Sequence, residues 1–288
     1  MEGYFLNINK PKGISSFDVI RQLRKKLNLK AIGHSGTLDP LAHGVMQIGV
    51  GYCTKLLDYL ASDKEYTADI CFGYDSTTMD EEGEKTFIKT PDFTYQELIT
   101  TLNSFLGKTM QVPPKYSAIK QNGKKLCDLA RNNPDMKLVI KPREIEIYSI
   151  DLLDFKQDFA RIKVHAKKGT YIRSLVNDIG VKLNCGAYIK DLKRTKAGNF
   201  LIENSQDINS SEFVKINPLN ALQFDKYEVD DIEYRQAMNG NTISVNKIFK
   251  TNPILLTKNN KLVSLANILD NSNNGVSLVK PKKNFKES

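Results

Sequence analysis

Short apolar runs alternating with polar positions recur along this chain, and helical spacing surfaces in only a few windows. Residues 4–9 are partly apolar and predict a first strand, broken by Lys10-Pro11-Lys12-Gly13. Ser15 or Ser16 then caps a helix whose Ile20, Leu23 and Leu27 share one face, with Arg21, Arg24, Lys25 and Lys26 on its basic surface. Val45 to Val50 predicts a buried strand, and Thr54 a helix carrying Leu56, Leu57 and Leu60. From Lys64 to Gly73 the pattern has period two, with Tyr66, Ala68, Ile70 and Phe72 on one face, as in a half-buried strand. Residues 74–85 are acidic and turn-rich and predict a hairpin or loop. Residues 94–106 predict a helix capped by Thr94, apolar at Leu98, Leu102 and Leu106.

The second half continues in the same manner. Prolines extend 110–120, and residues 143–166 alternate as two strands. In the second of these Ile162, Val164 and Ala166 face inward, which makes His165 a surface histidine. Lys167 to Leu175 begins a helix with Ile172, Leu175, Val176 and Ile179 as its buried stripe and Gly180 at or near its end. Residues 190–200 are basic and end in a turn, and 204–222 are helical or irregular. A boundary falls near 225–230. Beyond it, 255–257 and 262–264 are spaced to pair across Lys258-Asn259-Asn260-Lys261, with 276–279 as a further strand and a polar tail, 280–288, expected to fray.

Charge and composition narrow the classes. The chain has 288 residues, 42 Lys+Arg against 33 Asp+Glu, and 40% hydrophobic residues, which suits an ordinary core. A surplus of nine positive charges makes a polyanionic partner such as nucleic acid a candidate. No apolar run approaches the roughly 20 residues that span a bilayer, and no basic-then-apolar leader opens the chain, so a cytoplasmic location and no membrane contact are expected. The four cysteines are scattered without a C-x-x-C pair, and the three histidines lack ligand spacing; reduced thiols and no metal are expected. No G-x-G-x-x-G or P-loop is present, and no cofactor is expected.

One stretch needs a special explanation. Gly33 to Val45 holds three glycines, a proline, two of the three histidines and a single carboxylate, Asp39. Glycine permits positive φ and close approach, and Pro40 stiffens the backbone after Asp39. A glycine-rich turn between helix and strand accounts for the composition as well as a functional loop does. Arg173 breaks a local rule, because a cation in the first turn of a helix opposes the macrodipole.

His34, Gly36-Thr37-Leu38-Asp39-Pro40, Ala42 and Gly44-Val45 fit the pattern G-H-x-G-T-L-D-P-x-A-x-G-V, which resembles the catalytic loop of the TruB family of tRNA pseudouridine synthases. His43 stands where that family often has a small or hydroxyl residue. Further motifs follow in the family's order. Lys10-Pro11 resembles its first motif, and Lys64-Glu65-Tyr66-Thr67-Ala68 its second. Ser76, Thr78, Asp80 and Gly83 resemble T-x-T-x-D-x-x-G, with serine for the first threonine. Pro113-Pro114-Lys115-Tyr116-Ser117-Ala118-Ile119-Lys120 resembles part of an RNA-clamping insertion, about 108–145, that includes Lys124, Lys125 and Arg131, with Cys127 where tyrosine is common. Gly169-Thr170-Tyr171-Ile172-Arg173-Ser174-Leu175 resembles the third motif, and Leu192-Lys193-Arg194-Thr195 with Gly198 and Phe200 the last.

The resemblance implies an α+β fold: a catalytic domain over 1–226 with a mixed, mostly antiparallel sheet flanked by helices, and a small β-rich PUA-like domain over 227–288. It implies isomerisation of a uridine at position 55 in the T-loop of tRNA, by a monomer, without metal. Asp39 is then the nucleophile, paired with Arg173, and Tyr66 stacks on the base. Tyr171 and Leu192 line the pocket, His34 fills or wedges the space left by the flipped nucleotide, and Lys10 lies against the active-site loop. Lys124, Lys125 and Arg131 supply phosphate neutralisation. Attack at C1′, attack at C6 and a glycal route all remain open. A synthase for another RNA, or a tRNA-binding, fold-assisting protein with secondary catalysis, uses the same basic surface.

Overall fold

A computed structural model describes residues 2–117, 119–121, 124–126, 139–271 and 275–285; at 120, 121, 124 and 125 only the backbone is described. The strands of the first half are β1 (Tyr4–Lys10), β2 (Ile32–His34), β3 (His43–Val50), β4 (Lys64–Phe72), β5 (Tyr74–Ser76), β6 (Lys85–Phe87) and β7 (Gly107–Gln111). Two short strands, β8 (Lys120–Gln121) and β9 (Lys124–Lys125), pair with each other. There follow β10 (Arg143–Lys156), β11 (Phe159–Ala166), β12 (Ala187–Ala197), β13 (Phe200–Leu201) and β14 (Gln206–Asp207). Ten of these form one sheet in the order β14-β1-β3-β12-β4-β11-β10-β7, with β2 on β3 and β13 on β12. Only β1–β14 and β3–β12 run parallel, so the sheet is mixed and mostly antiparallel, as expected.

Period-two alternation sorts residues to the two faces of this sheet. In β1, Leu6 and Ile8 join a core roofed by Val19, Ile20 and Leu23 of the Ser16–Leu27 helix, Leu98 and Leu102 of the Tyr95–Asn103 helix, and Ile172, Leu175, Val176 and Ile179 of the Ile172–Lys182 helix. Phe5 points the other way, into a cluster with Val45, Leu56 and Phe200.

The second sheet begins at 226. It contains β15 (Lys226–Glu228), β16 (Ile243–Val245), β17 (Ile254–Lys258), β18 (Lys261–Asn271) and β19 (Ser277–Asn284), in the order β15-β17-β18-β19-β16. Its own core of Val229, Ile243, Phe249, Ile254, Leu256 and Val279 includes Ala237 of the Asp231–Met238 helix. Leu255, Leu265 and Phe285 instead complete the cluster around Phe5, and Phe285 stacks on Tyr52 at 4.7 Å. The two sheets are therefore welded by shared apolar surface.

Several expectations are corrected. Of the segment expected to fray, 280–284 belong to β19 and Phe285 is buried; positions 280–284 are exposed or half-buried, so this end of the strand looks polar in sequence. The helix expected from Thr54 is a 3-10 helix over Gly51–Tyr59. Leu106 lies beyond the end of its helix and is exposed. The third helix runs to Lys182, which leaves Gly180 near its end as expected; a Cβ at Gly180 would lie 2.3 Å from Ala187 N, so the glycine serves the chain returning across it. Residues 190–200 end in a turn at 198–199 as expected, and 190–197 lie in β12, a long central strand. His165 is half-buried, with Nε2 2.8 Å from Asp63 Oδ2, rather than a free surface group. The paired strands β17 and β18 fulfil the expectation for 255–264, with Lys258 opposite Lys261.

Candidate active site

Three elements fix the loop that carries Asp39. Ser15 caps the first helix and Asp18 closes the capping box, which places Ser16 beside the loop. Ser16 Oγ accepts from Leu38 N and donates to Leu38 O, both at 2.8 Å. Gly13 N donates to Pro40 O at 2.9 Å, and Lys10 Nζ reaches the same carbonyl at 3.3 Å. From β12, Arg194 donates Nε to Val45 O at 2.7 Å, Nη2 to Gly36 O at 3.2 Å and Nη1 to Thr37 O at 3.5 Å. A planar fork bridging three carbonyls holds both ends of the loop at once. His43 Nε2 lies 3.3 Å from Asp191 Oδ2, and Lys12 pairs with the same carboxylate, which ties the loop's exit to β12.

Arg173 comes in from the start of the third helix. Gln111 fixes that start by accepting from Tyr171 N at 2.9 Å and donating to Tyr171 O at 3.1 Å. Arg173 is 5% exposed, and its Nη2 stands 2.9 Å from Asp39 Oδ2. Nη1 meets a second carboxylate, Asp80 Oδ2, at 3.3 Å. The same guanidinium donates to Thr78 O at 3.0 Å and Tyr116 O at 2.8 Å. The acidic 74–85 segment and the start of the insertion thus converge on one cation.

Asp39, Tyr66, Tyr171, Arg173 and Leu192 line a cavity of about 500 Å³, together with Lys64, Lys168 and Arg194. Asp39 is open to this cavity yet surrounded by protein. Burial pushes its carboxyl above the ordinary value of 3.8; the Arg173 charge opposes that rise and the Asp80 charge adds to it. Burial likewise raises the Tyr171 phenol. The site therefore joins an acceptor-rich carboxylate, an aromatic floor and an apolar wall in a space sized for a nucleoside.

Two expected residues lie off the cavity. Lys10 is fully buried outside its lining, its Nζ donating to Pro11 O at 2.9 Å and Ile14 O at 2.6 Å as well as to Pro40, and burial lowers it to about 8. It is a strut under the Asp39 loop. His34 ends β2, one residue before the lining begins at Ser35; burial, with Arg194 nearby, lowers its pKa and favours a neutral ring. The side chains of Lys124 and Lys125, and all of Arg131, lie outside the described residues. Sequence reasoning gave no role to Asp80, Arg194 or Lys64. Each sits inside a motif already quoted, which was the available signal.

The family models for the TruB family pseudouridylate synthase N-terminal domain and the tRNA pseudouridylate synthase B C-terminal domain match residues 24–172 and 173–236. The first alone covers more than half of the chain. This chain belongs to the TruB family. It is 40% identical over 262 residues to a tRNA pseudouridine synthase B of Dehalococcoides mccartyi, covering 87% of this chain and 86% of the relative. A Fusobacterium nucleatum protein of the same name is 41% identical over 284 residues, 94% of this chain and 97% of that one. A solved structure described as a Cbf5-Nop10-Gar1 complex superposes with TM-score 0.73 at 22% identity, over 98% of this chain and 85% of the other, which establishes the shared fold. In this TruB chain the model boundary at 172/173 falls inside the site, between Asp39 and Arg173, so the two matched regions build one pocket.

Proposed function

We propose that this enzyme isomerises uridine to pseudouridine in tRNA, at position 55 of the T-loop, with Asp39 as nucleophile. Relatives across most of its length are named tRNA pseudouridine synthase B, which supports tRNA as the substrate. The observation that carries the residue assignment is the Asp39–Arg173 pair at 2.9 Å in the wall of a nucleoside-sized cavity that Tyr66 also lines.

The reaction breaks the bond from C1′ to N1, joins C1′ to C5 of the rotated base, and moves a proton from C5 while N1 gains one. The substrate nucleotide enters by flipping out of its loop. Arg173 orients the Asp39 carboxylate and stabilises its charged form. Tyr66 stacks on the base while Tyr171 and Leu192 close the pocket. A neutral His34 beside the loop fills space vacated in the RNA. The insertion around 108–145, with Lys124, Lys125 and Arg131, grips the phosphate backbone of the T stem-loop, and the PUA-like module over 227–288 contacts the acceptor side. The protein acts as a cytoplasmic monomer without a metal. Among the described residues no helix is long and apolar enough to cross a membrane, and Cys53, Cys71 and Cys185 are free thiols.

The test is to map pseudouridine in tRNA transcripts incubated with the pure protein and no added cofactor. Modification at position 55 is the expected result; an unmodified T-loop overturns the assignment.

A further inference from the structure

Lys64 is a buried amine with no anion beside it. It stands at the start of β4, 8% exposed, with its side chain in the cavity wall and its stem against Gly36 of the Asp39 loop. Its Nζ has one neutral acceptor, Gln47 Oε1, at 3.3 Å. Buried lysines are ordinarily paired with an anion. Among the described residues no carboxylate oxygen stands within 4.0 Å of this one. Its neighbours in sequence are committed elsewhere: Asp63 to His165 at 2.8 Å and Lys196 at 3.4 Å, Glu65 to Lys163 at 2.9 Å and Thr195 at 2.7 Å.

The surroundings add positive charge. Arg194 lies alongside, its donors already given to three backbone carbonyls, and Lys168 lines the same cavity from the exposed loop after β11. Burial, then Arg194, depresses the Lys64 ammonium to about 7, with Lys168 acting in the same direction and Asp63 opposing. Elsewhere in the cavity wall Arg173 is matched by Asp39, and behind it by Asp80, so it adds no net positive charge. The net positive charge of the cavity wall therefore comes from Lys64, Lys168 and Arg194.

We infer that Lys64 and Lys168 form a phosphate seat that receives a phosphodiester adjoining the flipped uridine. The anion missing from the free protein arrives with the RNA strand, so the Lys64 ammonium, depressed in the free protein, is stabilised when a nucleotide is in the pocket. An apolar ligand or a free nucleoside brings no such anion. The inference rests on the proposed function for the nature of the strand, and on the unpaired cations for the seat.

The experiment is a substitution cycle between protein and RNA. Three T-stem-loop RNAs are used: unmodified, and with one neutral methylphosphonate on the 5′ or the 3′ side of the target uridine. Their Kd values are measured with wild type, Lys64→Met and Lys168→Met. Neutralising one of the two linkages should weaken wild type by about tenfold, yet weaken Lys64→Met by less than about twofold, with Lys168→Met between them. Lys64→Met should also flatten the slope of log Kd against log salt by about 0.7, the release expected for one single-strand phosphate. If both linkages cost Lys64→Met as much as they cost wild type, the seat does not exist. Should Lys64→Met not fold, Lys168→Met carries the same cycle from an exposed position, and a full wild-type loss there overturns the inference. Pseudouridine formation on the unmodified RNA reports separately on the proposed function.

Discussion

Asp80 Oδ2 stands 3.3 Å from Arg173 Nη1, so the guanidinium that meets Asp39 also carries a second, fully buried carboxylate. Asp80 is itself held, by Thr78 Oγ1 at 2.5 Å and Glu82 N at 3.1 Å, both donating to Oδ1. It is not part of the cavity lining, so it acts through Arg173 as a positioning residue. Its charge also raises the Asp39 carboxyl.

Asp80→Asn therefore has two expected effects. Turnover falls by about ten- to a hundredfold, as orientation losses of this kind do, because one side of the guanidinium loses its ionic anchor. The acidic limb of the pH–kcat profile moves to lower pH, because removing a nearby negative charge makes Asp39 easier to ionise. A profile that drops without moving would mean that Asp80 does not couple to Asp39. Single-turnover rates across pH check both.

Arg173→Ala leaves Asp39 and Asp80 without the cation they share. Stability should fall by about 3–5 kcal/mol, the range for breaking a buried pair from one side, together with most of the activity. Arg173→Lys restores charge but not the fork that also serves Thr78 O and Tyr116 O, so it should recover part of the stability and little turnover. Thermal unfolding and product formation, measured on both variants, separate the two losses.

What the chain discloses unaided follows from physics. Strands such as β1, β3, β4 and β11 were legible because one or both faces are buried and the alternation or apolar run survives in the residues. Asp39 stands out as the single carboxylate of a glycine-studded loop, and Arg173 because a cation in the first turn of a helix opposes the macrodipole. Asp80, Lys64 and Arg194 do not, because a charged residue is solvated by default and only long-range pairing buries it. Arg194 in particular looks like one more cation in a basic run, yet it is buried and spans from β12 to the loop that holds Asp39. The same default hid the end of β19, 280–284, where no position is fully buried and four of the five residues are polar.

Asp39→Asn should abolish pseudouridine formation while RNA affinity changes by less than about threefold, since the amide keeps the shape but not the nucleophile. For wild type the sign of the pH dependence is fixed by the upward shift of this carboxyl. The reactive form is the anion, so activity is present above its pKa and is lost as pH falls through a value higher than that of an ordinary aspartate. Residual turnover by Asp39→Asn, measured as pseudouridine per enzyme after long incubation, would remove Asp39 from the reaction.

Gly44 tests whether the loop and β12 form one unit. Its φ is +104°, and a Cβ there would stand 2.2 Å from Arg194 O. Gly44 and Arg194 are also register partners across the parallel β3–β12 pair. Gly44→Ala must therefore push β12 away from β3 and draw the Arg194 fork off Gly36, Thr37 and Val45. Gly169, at φ +93°, is the control: a Cβ there meets nothing within 4 Å. Gly169→Ala should cost only the backbone preference, about 1–2 kcal/mol. Gly44→Ala adds the steric displacement and should cost about 3 kcal/mol or more. If the two substitutions lower the unfolding midpoint equally, contact with Arg194 is not what demands glycine at position 44, and the clamp on the Asp39 loop is looser than these distances imply.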